Sequence, residues 1–188
     1  MIVIVDYKMG NIGSVLNMLK KIGHAAVVSS EPQEISKAEK LILPGVGAFD
    51  NGMNNINDLG LLDVLNEKIK NKTPILGICL GMQLLAQKSE EGVSRGLGWI
   101  DANVVRFKFQ DMFDGLSASL KVPHMGWNEI IIKKDDALFA NMPENPRFYF
   151  VHSYYLECNN SSDVLATTNY GFDFASIIRK IKAIVSCS

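Results

Sequence analysis

Ile2-Val3-Ile4-Val5 is apolar at every position and stops at Asp6, the pattern of a short strand buried on both faces. Apolar residues then recur at Val15, Leu19 and Ile22, one face of a helix. With Asn11 placed to cap it and Gly23 to stop it, the spacing predicts a helix over 11–22. The alternation continues with a strand over 25–28, a short helix over 32–38 and a strand over 40–43 that ends at Pro44. Leu61, Leu65 and Ile69 mark an amphipathic helix, and 75–79 reads as the next strand. After Glu91 the texture changes. Aromatic and β-branched runs over 99–107, 128–132, 147–158 and 164–168 predict strands that pair at least partly antiparallel. Together these patterns predict a three-layer, flavodoxin-like α/β fold, with a mixed, mostly parallel sheet flanked by helices. Sites in such sheets gather at the carboxyl ends of strands, where Asp6, Pro44 and Cys79 fall.

Composition narrows the picture. The 188 residues, 47% hydrophobic and 21% charged, suit one globular domain over 1–188. A net charge of -1, with Lys and Arg scattered, argues against a nucleic-acid partner. Cys79, Cys158 and Cys187 are too widely and irregularly spaced for a disulfide framework or a metal site, which points to a reducing cytoplasm. No apolar run is long enough to span a bilayer, and no export signal precedes Ile2, so the expectation is a cytoplasmic protein without membrane contact.

The candidate chemistry centres on Cys79, which ends an apolar strand and is followed at once by a helix start, with Gly77 and Gly81 on either side. A thiol at such a junction meets the positive end of a helix dipole, which favours thiolate, and the glycines permit a sharp turn. On this stretch alone a buried structural cysteine remains open as the alternative. Pro44-Gly45-Val46-Gly47 likewise reads as a tight connection, a phosphate loop or an oxyanion loop. The cysteine favours the last, because a thioester-forming hydrolase needs donors for the developing negative charge.

Four segments in order carry a family resemblance: Pro44-Gly45-Val46-Gly47, Gly77 to Gln83, Pro123-His124-Met125-Gly126-Trp127-Asn128 and Phe148 to Tyr154. They resemble the class I glutamine amidotransferases, and among these the glutaminase subunits of imidazole glycerol phosphate synthase. The resemblance runs from Met1 to about Arg179. It implies hydrolysis of L-glutamine to glutamate and ammonia without metal or cofactor. The ammonia would pass to a (β/α)8-barrel cyclase subunit, in a heterodimer, for imidazole glycerol phosphate and aminoimidazole carboxamide ribotide formation in histidine biosynthesis. Position by position, it implies Cys79 as nucleophile and Gln83, Glu91 and the backbone of His152, Ser153 and Tyr154 as the glutamine pocket. Val46, Gly47 and Leu80 would form the oxyanion hole. Pro123, His124, Met125, Gly126 and Trp127, flanked by Tyr7 to Asn11, would face the partner subunit.

The chain also departs from that family, whose members complete the machinery with a His-Pro-Glu segment near the C-terminus. Here the histidines are His24, His124 and His152 only, and after Lys180 the sequence runs Ile181 to Ser188 without that motif. The expectation is a frameshifted or truncated copy in which the closing strand and helix are lost, with reduced stability. By analogy with disabled hydrolase triads, turnover would fall on the order of 10⁴ to 10⁶. Three readings follow: the histidine-pathway glutaminase, a paralogue supplying ammonia for surface-polysaccharide sugar amidation, and a catalytically impaired subunit that retains only partner binding.

Overall fold

Strand and helix alternate through the first half as the apolar pattern requires. The computed structural model describes residues 1–109 and 120–180, and of 183–186 the backbone alone. Cys187 lies outside the described residues. The first half runs β1 (Ile2–Val5), α1 (Ile12–Lys21), β2 (Ala26–Ser29), α2 (Pro32–Ser36), β3 (Lys40–Leu43), α3 (Phe49–Asp58), α4 (Leu62–Lys70), β4 (Ile75–Ile78) and α5 (Leu80–Gln83). Asn11 caps α1, its side-chain oxygen accepting from the Ser14 N–H at 3.1 Å. The sequence pattern passes over α3, whose Asn- and Asp-rich stretch hides Phe49, Met53 and Ile56 on one buried helical face.

The second half is mostly strand: β5 (Lys88–Ser89), β6 (Ala102–Arg106), β7 (His124–Glu129), β8 (Ile131–Ile132), β9 (Arg147–His152), β10 (Tyr154–Cys158), β11 (Val164–Tyr170), β12 (Phe172–Lys180) and β13 (Ala183–Ser186). The main sheet has the order β2-β1-β3-β4-β13-β12-β10-β6-β5, with β11 on β12 and β8 on β11, while β7 and β9 form a separate ribbon. Pairing from β2 to β13 is parallel, and from β13 through β12 and β10 to β6 it is antiparallel. The mixed sheet is therefore a parallel block joined to an antiparallel one along β13.

That strand corrects the expectation of a lost closing strand. Ala183 to Ser186 pairs with Ile75 to Ile78 in parallel and with Ile177 to Lys180 in antiparallel register. The run over 147–158 is likewise two strands rather than one. Ser153 separates them, and β9 and β10 join different sheets.

Alternate residues Val3, Val5, Leu41, Leu43 and Ile75 share one core with Ile35, Met53, Ile56, Val64 and Leu65 of the helices. The same core continues into Phe107, Phe150, Leu156 and Phe174 of the second half. Among the described residues no helix is long and apolar enough to cross a membrane.

Candidate active site

β1, β3 and β4 lie side by side and end at Asp6, Pro44 and Cys79, so the parallel block delivers these residues to one edge. Cys79 leaves β4 with φ 53° and ψ −113°, a left-handed conformation for a residue bearing a Cβ. Such a backbone costs about 1–3 kcal/mol, so the surroundings must over-determine it. They do: Leu80, Met82, Leu84 and Leu85 are buried directly after it. Burying even one such side chain is worth about 1.5–3 kcal/mol. Gly81 packs so closely on β3 that a Cβ there would lie 1.8 Å from the Leu43 carbonyl oxygen. At Gly77 a Cβ would lie 2.8 Å from the Gly81 carbonyl oxygen.

Cys79 opens into a cavity of about 140 Å³ lined by Val46, Gly47, Cys79, Leu80, Gln83, Glu91, Val151, His152, Ser153 and Tyr154. The residues that the sequence assigned to nucleophile, oxyanion hole and glutamine pocket thus line one space. Val151 also lines it, and no sequence signal singled that residue out. A larger apolar groove of about 360 Å³ is lined by residues including Ile2, Lys40, Ile42, Leu76 and Leu138, with no cysteine, serine or threonine among its described lining residues.

The electrostatics differ from the helix-dipole expectation. Burial pushes the Cys79 thiol up, opposed by a hydrogen bond from the Leu80 N–H. Desolvation outweighs that one bond, and α5, only four residues long, offers little dipole to oppose it. The Leu80 N–H is also directed at the Gly45 carbonyl oxygen, 3.3 Å away. A candidate anion donor is therefore occupied by the oxyanion loop itself.

Glu91 accepts from the Phe49 N–H at 2.8 Å, which holds its carboxylate at the start of α3. Gln83 is buried one helical turn beyond Cys79. Ser153 accepts from the Phe107 N–H at 3.1 Å through its carbonyl, tying the cavity wall to β6.

His152 lines the cavity, yet both its ring nitrogens are engaged. Its Nδ1 lies 2.7 Å from the Tyr154 carbonyl oxygen, which can only accept, so Nδ1 carries the proton. Its Nε2 then accepts from Nδ1 of His124 at 3.0 Å. Nε2 of His124 is left as an acceptor toward Nδ2 of Asn128 at 3.4 Å. Burial, followed by the neighbouring His152, pushes His124 down to about 4, and burial also lowers His152. Both rings are neutral near pH 7, and His152 has no free nitrogen to offer the thiol.

This network also revises the expected partner surface. Met125 and Trp127 are 61% and 65% exposed, but His124 is only 3% exposed and packs behind the cavity, against His152. Strand alternation is the reason. In the β7–β9 ribbon, Met125 pairs with Val151 and Trp127 with Tyr149 on one apolar face, while His124 pairs with His152 on the other. Tyr149 and Val151 thus extend the exposed face beyond the sequence-assigned residues. Pro123 is exposed, Gly126 is half-buried, and Asn11 is exposed at the start of α1, whereas Tyr7, expected to flank this surface, is fully buried.

The model of the glutamine amidotransferase class-I family matches residues 3–187. A Methanococcus maripaludis protein named imidazole glycerol phosphate synthase subunit HisH 2 is 52% identical over 96% of this chain and 86% of its own length. A Pseudomonas aeruginosa protein of the same name is 48% identical, with the same coverage of each chain. Among solved structures, a crystal structure of glutamine amidotransferase shares the fold with a TM-score of 0.72 at 18% identity, covering 98% of this chain and 87% of that one. The glutaminase domain of Trypanosoma brucei CTPS, with bound acivicin, has a TM-score of 0.64 at 14% identity, covering 98% and 83%. With the family match running from the first strand to the last and about half of the aligned positions shared with its relatives, the chain belongs to the class I glutamine amidotransferases.

Proposed function

We propose that this chain is the glutaminase subunit of an imidazole glycerol phosphate synthase in histidine biosynthesis, acting as one domain over 1–188 in the cytoplasm. The observation that carries the proposal is the single cavity in which Cys79 meets the Val46-Gly47 loop, Gln83, Glu91 and His152-Ser153-Tyr154. In this reading the Cys79 sulfur attacks the side-chain carbonyl carbon of L-glutamine. The C–N bond breaks as ammonia leaves with a proton, and water cleaves the thioester to glutamate. Gln83, Glu91 and the 152–154 backbone hold the substrate, with Glu91 facing its α-amino group. Val46, Gly47 and Leu80 stabilise the anion once the Gly45 carbonyl has given up the Leu80 N–H.

The ammonia acceptor is a (β/α)8-barrel cyclase subunit, docked on the apolar ribbon face of Met125, Trp127, Tyr149 and Val151. Aromatic and Met-rich exposed faces of this kind are enriched at protein interfaces. Because both nitrogens of the cavity histidine are engaged, turnover by this chain is slow relative to a complete triad. The second reading, a subunit that keeps the partner surface without hydrolysis, draws on the same observation.

The test is glutamate release in the presence of the cyclase subunit, with Cys79→Ala as the blank. A rate above the blank supports hydrolysis, and equal rates leave only the binding role.

A further inference from the structure

Tyr7 lies two residues beyond β1 and is completely buried at the carboxyl edge of the sheet. Its hydroxyl donates to the Pro44 carbonyl oxygen, and burial raises its pKa, so it stays a neutral donor. The Pro44 carbonyl and the Gly45 N–H share one peptide plane, so this bond fixes the plane on the upstream side of Gly45. On the downstream side, the Gly45 carbonyl is held by the Leu80 N–H at 3.3 Å, longer than an ordinary hydrogen bond of this type. Gly45 is therefore a swivel between a pinned peptide and a loosely held one.

The crowding around it is tight. A Cβ on Gly45 would lie 2.4 Å from the Tyr7 hydroxyl and 2.9 Å from the Gly81 nitrogen. The turn that follows Tyr7 supports the same loop. A Cβ on Gly47 would lie 2.6 Å from Met9 Cε, and one on Gly10, where φ is +88°, would lie 3.0 Å from the Gly45 nitrogen. The segment from Tyr7 to Gly10 is thus packed along the oxyanion loop.

We propose that Tyr7 is a positioning residue for the oxyanion loop: its hydroxyl pins the Pro44–Gly45 peptide, so that the movement freeing the Leu80 N–H is confined to the Gly45–Val46 peptide. The inference deepens the glutaminase reading and rests on it. The Tyr7 hydroxyl donates to the loop and not to the sulfur, although Cys79 lies near enough to add to burial in raising the tyrosine pKa. It acts through the loop, by removing one of the two rotations that would otherwise scatter the anion donors.

The test uses the chloroketone analogue of glutamine on the full chain in the presence of the cyclase subunit. The Cys79 sulfur displaces chloride, an S–C bond forms, and labelling is followed by mass. Saturation kinetics separate the limiting rate from the half-saturating concentration, and chloroacetamide reports the thiol without the glutamine pocket. Tyr7→Phe is expected to lower the limiting rate about tenfold, the scale of one lost hydrogen bond that leaves a carbonyl unpaired. The half-saturating concentration and the chloroacetamide rate should stay within about twofold. Gly45→Ala, which loads the same swivel through its Cβ, should shift the same ratio in the same direction.

An unchanged limiting rate in Tyr7→Phe overturns the proposal, whatever Gly45→Ala does. So does an equal loss with both reagents, because Tyr7 would then act on the thiol itself. If the unmodified chain shows no saturable labelling at Cys79, the glutaminase reading falls and takes this inference with it. That outcome is distinguishable because it appears before any variant is made.

Discussion

The two walls of the Cys79 cavity are built on different principles. On the parallel side, Cys79, Gly81 and Gly45 form a wall of backbone held by close approach, with a positive φ at the cysteine and no room for added atoms. On the antiparallel side, the wall at His152 is padded by rings. Phe107 lies within 5.2 Å of His152 and 5.3 Å of Phe174, centroid to centroid, and His124 stacks on Phe150 and Tyr170 at 4.9 and 4.0 Å. A backbone wall tolerates almost no change of shape, because its contacts are between atoms that cannot rotate away. A wall of side chains can repack, and it brings two imidazoles to the site.

Gly81→Ala gives the sharpest test of this contrast. Its Cβ would overlap the Leu43 carbonyl, which is backbone and can move only with β3, so the variant should lose more than about 4 kcal/mol of stability. Urea unfolding measures it, and a loss below about 1 kcal/mol would mean that the backbone wall yields as readily as the ringed one.

The next effect belongs to the histidines. Both are neutral when folded, whereas in the unfolded chain they take up protons near their ordinary value of about 6.5. Unfolding therefore binds protons, and stability should fall as pH drops from about 6.5 toward about 4, where His124 titrates in the folded state. The slope contributed by each ring is at most about 1.4 kcal/mol per pH unit. Urea unfolding at stepped pH follows it, and His124→Phe should flatten the slope. Asp50, whose carboxylate is held low by hydrogen bonds from Ser94 and Val93, adds its own loss at lower pH. An unchanged slope in His124→Phe would show that carboxylates, not the histidine wall, set the acid limit.

The smallest effect is expected from Phe107→Leu, which keeps the site apolar and lets the surrounding rings close in, at a cost of about 1–2 kcal/mol. The comparison between the walls breaks if this substitution proves as damaging as Gly81→Ala in the same urea measurement.

The parallel wall was the more legible one in the sequence. Continuous apolar runs ending at Asp6, Pro44 and Cys79 are local signals, and the glycines around Cys79 announce a sharp turn within a few residues. What stayed hidden there was energetic. Whether burial or a helix end governs the thiol depends on the length of α5, which no periodicity fixes at four residues. The other wall depends on register between distant segments. Pairing of β7 with β9 decides that His124 points inward while Met125 and Trp127 point out, and that pairing is invisible in Pro123-His124-Met125-Gly126-Trp127 taken alone. The Tyr7 hydroxyl on Pro44 is hidden for the same reason, since 37 residues separate the two partners.

Because β13 lies in the interior of the main sheet, between β4 and β12, the strand that carries the cysteine keeps a bare flank until residues 183–186 have been synthesised. On the ribosome, everything upstream can emerge while that flank still exposes unpaired amides and carbonyls, which are a template for association with other chains. The main sheet therefore cannot close along the cysteine strand before its last-made segment arrives.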